Sequence, residues 1–386
     1  MRIGIFTNCY LPLVNGVVGT VSLLRKGFLE AGHEVYIFAP GCDDYQDSET
    51  GIFRYPAVNL TPQIKYPIAI PFSRTISRKL KNLPLDIIHS HHPFVLGPVA
   101  LRLSSSRNIP LVYTFHTQYD QYTHYVPLPS ALVRSVSIRQ VRRFSQAVNQ
   151  VTTPAESARK ILLGYGVTNP IQVIPNPTDL SKFINNDPGV VRQKYRIDHQ
   201  KLLMSIGRVA PEKNLDLLLE SFRQMVVTAP PNTLKLMIIG DGPDLGRLTQ
   251  LAKNLGISDQ VIFTGLVAPI LIPQYLAGAD LFVMTSTTEV KPLAQLEALA
   301  SGIPIVAVTA AGANDTIIHG QNGLLVVKDP HVFAKAVLDL LNDPERYRDF
   351  QENARKTASG YAYGAIAGQY LELFERLIRK QRRALR

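Results

Sequence analysis

The sequence predicts an α/β fold of two doubly wound parallel sheets. Three observations predict it. The chain has 386 residues, too many for one ordinary core and about right for two. Short apolar runs alternate with helix-spaced segments along its whole length. That alternation restarts near residue 201, which divides the chain into two similar halves.

The first apolar run, RIGIFTN, reads as a buried strand and not as a signal peptide, because no charged stretch leads into a longer apolar segment. The loop CYLPLVNGVVG follows. TVSLLRKGFLEAG is the first helix, with Leu23, Leu24, Phe28 and Leu29 expected on one face and Gly32 as its C-terminal stop. HEVYIFAP, LDIIHSHH, IPLVYTFHT, QAVNQVTTP and IQVIPNP read as further strands. The polar, Pro- and Gly-bearing stretch LSKFINNDPGVVRQKYRIDHQ reads as a linker. Beyond it the strands are KLLMSIGR, LKLMIIGDG, QVIFTG, ADLFVMTS, IPIVAV and GLLVV, with NLDLLLESFRQMV and LGRLTQLAKNLG among the intervening helices. The last 26 residues form a helix ending in RLIRKQRRALR. The predicted division is 1–180, 181–360 and a terminal helix over 361–386.

Composition narrows the class. With 46% hydrophobic and 18% charged residues the chain is globular and not disordered. No apolar run reaches 18 residues, so no transmembrane helix is expected. Two cysteines, Cys9 and Cys42, exclude a disulfide framework and a four-cysteine zinc site and point to a reducing compartment. Net charge is +11, split as +7 over residues 1–180, zero over 181–360 and +4 over 361–386. This asymmetry fits a polyanionic partner, nucleic acid or anionic lipid, and equally a solvated basic face.

Several common chemistries are missing from the sequence. There is no GxxxxGK[ST] phosphate loop, no GxGxxG after the first strand and no GxSxG nucleophile turn. His89, His91 and His92 crowd one strand end, but no acidic residue stands among or directly beside them, so a structural or substrate-contacting role is expected and no metal.

In open parallel sheets ligands sit beyond the carboxyl ends of strands, and with two such domains the cleft between them is the default site. Four features lie at such ends. Arg208 and Lys213 flank a strand-to-helix junction, where two fixed cations and free N–H groups suit a diphosphate. Glu289 and Glu297, eight residues apart, suit the paired hydroxyls of a sugar ring and a ribose. Gly16, in the loop Leu13–Val17, permits close backbone approach to a ligand. His116 ends the strand LVYTFH.

At these residues the sequence resembles the retaining glycosyltransferases of GT-B architecture in the large family 4 (glycosyltransferase group 1). The resemblance covers essentially the whole chain. Its marks are SIGRVAPEKN around Gly207–Lys213, IIGDGP at 238–243, IFTGLV at 262–267 and TEVKPLAQLEALASGIPIVA at 288–307.

The resemblance implies two Rossmann-like domains facing a central cleft. The C-terminal domain would hold a nucleotide sugar, UDP-linked by family habit. Arg208 and Lys213 would bind the diphosphate, Glu289 the transferred hexose, Glu297 the ribose, and the backbone at Gly265, Leu266 and Val267 the base. Lys291, Pro292 and Leu293 would complete the donor site. Gly16 would approach the phosphates and His116 the sugar. No metal or other cofactor is implied. Many members carry glycine at the place of Pro292; proline removes one backbone donor there.

The stretches DIIHSHHPFVLGPVALRL and YTFHTQYDQYTHYVP resemble the subgroup that glycosylates diacylglycerol or phosphatidylinositol-type lipids, and imply acceptor contacts at Asn15, Tyr119 and Tyr122. SALVRSVSIRQVRRFSQAV sets Arg134, Arg139, Arg142 and Arg143 among Leu132, Val133, Val136, Ile138 and Val141, a pattern that suits a helix lying on an anionic membrane and equally one packed on the core with a solvated basic face. In GT-B proteins the final helix crosses back to the N-terminal domain, which would bring the two basic regions to one face. The expected setting is the cytoplasmic face of a membrane, with no nucleic-acid partner. A soluble sugar or polysaccharide acceptor and a non-catalytic basic binding protein are the rival readings. The oligomeric state is left open.

Overall fold

The computed structural model describes residues 1–42, 45–59, 67–121, 128–288 and 291–384. The chain divides into two compact units. Unit 1 is Met1–Pro177 with Tyr363–Arg386, and unit 2 is Thr178–Ala362.

Unit 1 runs β1 (Arg2–Phe6), α1 (Gly16–Glu30), β2 (Glu34–Pro40), β3 (Ile52–Tyr55), β4 (Ala57–Val58), β5 (Ile68–Ala69), α2 (Arg74–Asn82), β6 (Ile87–Ser90), α3 (Leu96–Arg107), β7 (Leu111–Thr114), α4 (Ser130–Ala147), β8 (Gln150–Thr153), α5 (Glu156–Gly164) and β9 (Ile171–Val173). Seven of these strands form a parallel sheet in the order β3-β2-β1-β6-β7-β8-β9. β4 and β5 pair antiparallel beside it.

Unit 2 runs α6 (Pro188–Lys194), β10 (Lys201–Ile206), α7 (Leu215–Thr228), β11 (Leu234–Ile239), α8 (Leu245–Asn254), β12 (Val261–Gly265), α9 (Ile272–Ala277), β13 (Leu281–Met284), α10 (Leu293–Ala300), β14 (Ile305–Val308), α11 (Ala311–Asn314), β15 (Gly323–Val326), α12 (Pro330–Leu341) and α13 (Pro344–Ser359). Its six-stranded parallel sheet has the order β12-β11-β10-β13-β14-β15. α14 (Tyr363–Ala384) follows and belongs to unit 1.

The near-continuous apolar strands are explained by helices on both faces of the sheet. Successive side chains of a strand point to opposite faces. Leu203 of β10 therefore joins one core with Leu236, Val283 and the helices α7 and α12. Its neighbours Leu202 and Met204 join the other core with Met237, Phe282 and Leu299 of α10.

In unit 1, α1 packs Val21, Leu24 and Phe28 onto the sheet together with Ile366, Tyr370 and Phe374 of α14. The two helices approach so closely that a Cβ at Gly27 would lie 2.6 Å from Ala367 Cβ.

Three expectations are corrected. The polar stretch after residue 180 is no bare linker: its α6 packs on α9, and Val191 and Ile197 are buried in the core of unit 2. Leu29 does not share the buried face of α1. It lies 41% exposed, because Val18, Val21, Leu24 and Phe28 already fill the stripe that faces the sheet. The first sheet also extends one strand further than expected, through β3 at its edge.

Candidate active site

Each unit presents its glycine, histidine and cation motifs beyond the carboxyl ends of its strands. In unit 2 the loops after β10 and β11 are laced backbone to backbone. Gly207 N donates to Ile239 O at 2.9 Å, and Val209 N donates to Asp241 O at 3.0 Å. Gly240 has φ of +139°, and a Cβ on it would collide with the Gly207 carbonyl; one on Gly242 would collide with the Val209 carbonyl. Only glycine fits either position.

The same contact sets Lys213. Its Cε and Nζ lie 3.3 Å from where a Cβ of Gly207 would stand, so the ammonium group is laid across that glycine. The turn that carries it, Pro211–Lys213, is pinned from the loop after β13. Thr285 Oγ1 donates to Lys213 O at 2.9 Å, and Ser286 Oγ donates to Glu212 O at 3.2 Å. Asn214, left-handed at φ of +50°, closes the turn, and its Oδ1 accepts from Lys328 Nζ at 2.9 Å. Arg208 is half-buried in the same loop.

Gly265 ends β12 at φ of +69°, and its carbonyl accepts from Gly240 N at 3.0 Å. The next residue, Leu266, is 77% exposed, and Val267 is half-buried. Glu289 lies outside the described residues. Lys291 is buried, and its Nζ donates to Asp315 O and to Tyr361 OH, both at 3.3 Å, while sitting 4.5 Å from the Tyr361 ring centre. Burial lowers its pKa to about 8. Its ammonium group thus has partners within unit 2 that the sequence did not suggest.

Pro292 occupies the cap position of α10, with Leu293 as the first helical residue. Glu297 sits one turn further on. Burial pushes its carboxyl up to about 7, opposed by the charge of Lys182. A hydroxyl or a further cation brought to this carboxyl would favour its charged form.

In unit 1 the loop after β1 turns directly into α1. Asn15 Oδ1 accepts from Val18 N at 2.9 Å, so this residue caps the helix, and Gly16 is its exposed first residue. Four histidines gather where β6 and β7 end. His89 Nε2 bonds Thr114 Oγ1 at 2.6 Å, His92 Nδ1 accepts from Asn8 N at 3.0 Å, and His91 Nδ1 bonds His116 Nε2 at 2.8 Å. Burial holds His89 at about 3, His92 at about 4 and the other two well below the ordinary value, so all four are uncharged at neutral pH. The link between His91 and His116 was not visible in sequence, where 25 residues separate them.

Tyr119 packs edge-on against Phe94 with ring centres 4.9 Å apart. Tyr122 lies outside the described residues. α4 buries Val141, Phe144 and Ser145 and exposes Arg134, Arg139, Arg142 and Arg143. The apolar residues of this helix divide. Val141 turns inward, while Leu132 and Val136 are 52% and 54% exposed. Leu132, Val136, Arg139 and Arg143 therefore form one exposed stripe at helical spacing. No helix among the described residues is long and apolar enough to cross a membrane.

Two family models match the chain along most of its length. Residues 14–182 match the family Glycosyltransferase Family 4, and residues 190–357 match Glycosyl transferases group 1. The chain is 35% identical to an alpha-monoglucosyldiacylglycerol synthase of Streptococcus pneumoniae, across 88% of this chain and 78% of that protein. It is 28% identical to the protein of the same name from Acholeplasma laidlawii, across 100% and 99% of the two chains. Sucrose-phosphate synthase from Thermosynechococcus elongatus shares the fold with a TM-score of 0.81 at 19% identity, over 98% of this chain and 99% of that one. Two parallel-sheet domains, the matched families along both, and kinship at this level lead to one conclusion: the chain belongs to the GT-B glycosyltransferases of group 1 and family 4.

Proposed function

We propose that this glycosyltransferase moves a hexose from a nucleotide sugar, UDP-linked, to a diacylglycerol-type lipid at an anionic membrane surface, with retention of anomeric configuration. The 35% identity to a monoglucosyldiacylglycerol synthase over 88% of the chain carries the reading. The exposed arginines and apolar side chains of α4 support the membrane part of it. Peripheral attachment to the cytoplasmic face follows from an electrostatic attraction plus shallow apolar insertion.

In this reading Arg208 and Lys213 face the diphosphate and meet the charge that develops on it, so the reaction draws on no metal or cofactor. The first N–H groups of α10, from Leu293 on, add to them, whereas Pro292 supplies none. Glu289 takes the hexose hydroxyls, Glu297 the ribose, and the backbone from Gly265 to Val267 the base. Gly16 approaches the phosphates and His116 the sugar.

The bond from the anomeric carbon to the phosphate oxygen breaks as the acceptor oxygen bonds that carbon on the same face. The acceptor's hydroxyl proton passes to the departing phosphate oxygen. The protein contributes positioning and leaving-group stabilisation.

The test is a donor screen with UDP-glucose, UDP-galactose, UDP-GlcNAc and GDP-mannose, read as nucleotide release. It is run with and without anionic vesicles containing diacylglycerol or a monoglycosyl diacylglycerol. Lipid-dependent release from one donor is expected. Release that ignores lipid would move the acceptor to a soluble sugar. No release and no nucleotide binding would overturn the catalytic reading.

A further inference from the structure

His91 lies inside unit 1, and nothing in the proposed reaction requires it to touch a substrate. Its Nδ1 stands 2.8 Å from Nε2 of His116, and the two rings meet edge to edge with centres 5.0 Å apart and planes 11° from parallel. A hydrogen bond between two imidazole nitrogens needs one proton, and each neutral ring carries only one. The pair therefore has two possible states. In the first, His91 donates from Nδ1, and the proton of His116 sits on Nδ1. In the second, His116 donates from Nε2, and the proton of His91 sits on its own Nε2.

The surroundings separate the two. Nε2 of His91 is sealed from solvent and has no hydrogen-bond partner. The second state would bury an unpaired N–H there; the first leaves only an unpaired acceptor, which folded proteins tolerate more often. The titratable groups facing the pair are His89, whose ring centre is 4.1 Å from that of His91, and His92. Both are uncharged, and among the described residues no carboxylate faces the pair to pull a proton the other way. Among the described residues His116 makes no second hydrogen bond, and its ring is only half-buried.

We propose that His91 is a positioning residue: it donates to His116 Nε2 and thereby fixes His116 as the Nδ1–H tautomer, a permanent donor aimed at a sugar oxygen. The sugar contact rests on the function proposed above; the tautomer does not. The second-row histidine thus decides whether the substrate meets a hydrogen or a lone pair.

The experiment is two-bond proton–nitrogen correlation NMR on the full chain labelled with nitrogen-15 at histidine. Single substitutions of His91 and His116 assign the peaks. His116 is expected to carry its proton on Nδ1 and to keep that pattern from pH 7.5 to 5.5. A His116 proton on Nε2 in the unaltered protein would overturn the proposal, with no variant needed.

His91→Phe keeps a planar aromatic ring, a somewhat larger one, and removes the donor. His116 should then show mixed tautomers, and kcat should fall about tenfold, the worth of one neutral hydrogen bond, with the donor KM nearly unchanged. His91→Asn can place an amide N–H where Nδ1 stood and should recover most of the loss. An unaltered His116 spectrum in the Phe variant would overturn the proposal. Mixed tautomers with unaltered kcat would leave the tautomer standing and remove His116 from the sugar.

Discussion

Gly240 meets Gly207 backbone to backbone: a Cβ on Gly240 would stand 2.9 Å from the Gly207 carbonyl carbon and closer still to its oxygen. This contact joins two loops and lays Lys213 over the junction. Gly240→Ala is expected to cost unit 2 more than about 2 kcal/mol through steric strain and a disfavoured φ, and to abolish nucleotide binding. Gly246→Ala, in α8 with open space around it, should be neutral or slightly stabilising. Equal melting temperatures for the two variants would refute the account.

Lys213→Ala, which removes a stabiliser of developing charge, and Glu289→Gln, which removes a charged partner of the hexose hydroxyls, should each lower transfer by about 10²–10³-fold while leaving the thermal transition in place. Turnover near the unaltered rate in either variant would remove that residue from the site. Steady-state nucleotide release, paired with a melting curve, separates lost chemistry from lost folding.

The raised pKa of Glu297 predicts a pH dependence for donor binding. An ionised carboxylate accepts two ribose hydroxyls, and a protonated one must donate once. With a value of about 7, the ionised fraction rises about tenfold between pH 6 and 8, and nucleotide affinity should rise with it. Glu297→Gln should bind more weakly and flatten the profile. A wild-type affinity that is constant over this range would sink the ribose assignment.

The histidine cluster predicts acid sensitivity of unit 1. All four folded values lie below the ordinary 6.5, so the unfolded chain takes up protons that the folded one refuses. Stability is therefore complete above that value and falls as pH drops towards the folded values, at about 1.4 kcal/mol per group per pH unit. Melting curves at pH 7, 6 and 5 should show a steep decline, shallower in His92→Gln. A flat series would contradict the burial of these rings.

Reversing Arg139, Arg142 and Arg143 to Glu should abolish sedimentation with anionic vesicles and leave donor hydrolysis intact, because the three side chains are exposed on α4. High salt should weaken the binding of the unaltered protein in the same assay. Unchanged sedimentation of the triple variant would remove α4 from the membrane surface.

The strands were readable because a sheet covered on both faces needs unbroken apolar runs such as LKLMII, and the glycines of IIGDGP because only they allow two loops to touch. What escaped detection depended on pairing across distance. β3, with Arg54 inside a four-residue run, is recognisable only beside β2. The segment after residue 180 looks like a linker until Val191 and Ile197 meet α9. His91 drew attention only as one of three clustered histidines; its partner lies on the next strand. Lys291 entered only through the family resemblance, and its bonds to Asp315 and Tyr361 arise from residues 24 and 70 positions away.

The docking of α14 on α1 has a consequence for how the protein is made. Ile366, Tyr370, Leu373 and Phe374 are all buried in the core of unit 1, and together contribute about 8 kcal/mol by apolar burial, comparable with the whole net stability of a domain. A ribosome delivers them only after every residue of unit 2. Unit 2 is contiguous and can fold as it emerges, while the first 177 residues must wait, with their apolar sheet face open, for the segment that closes it. The first half to be synthesised is thus the last to be finished, and through that interval it is the half that would need a chaperone.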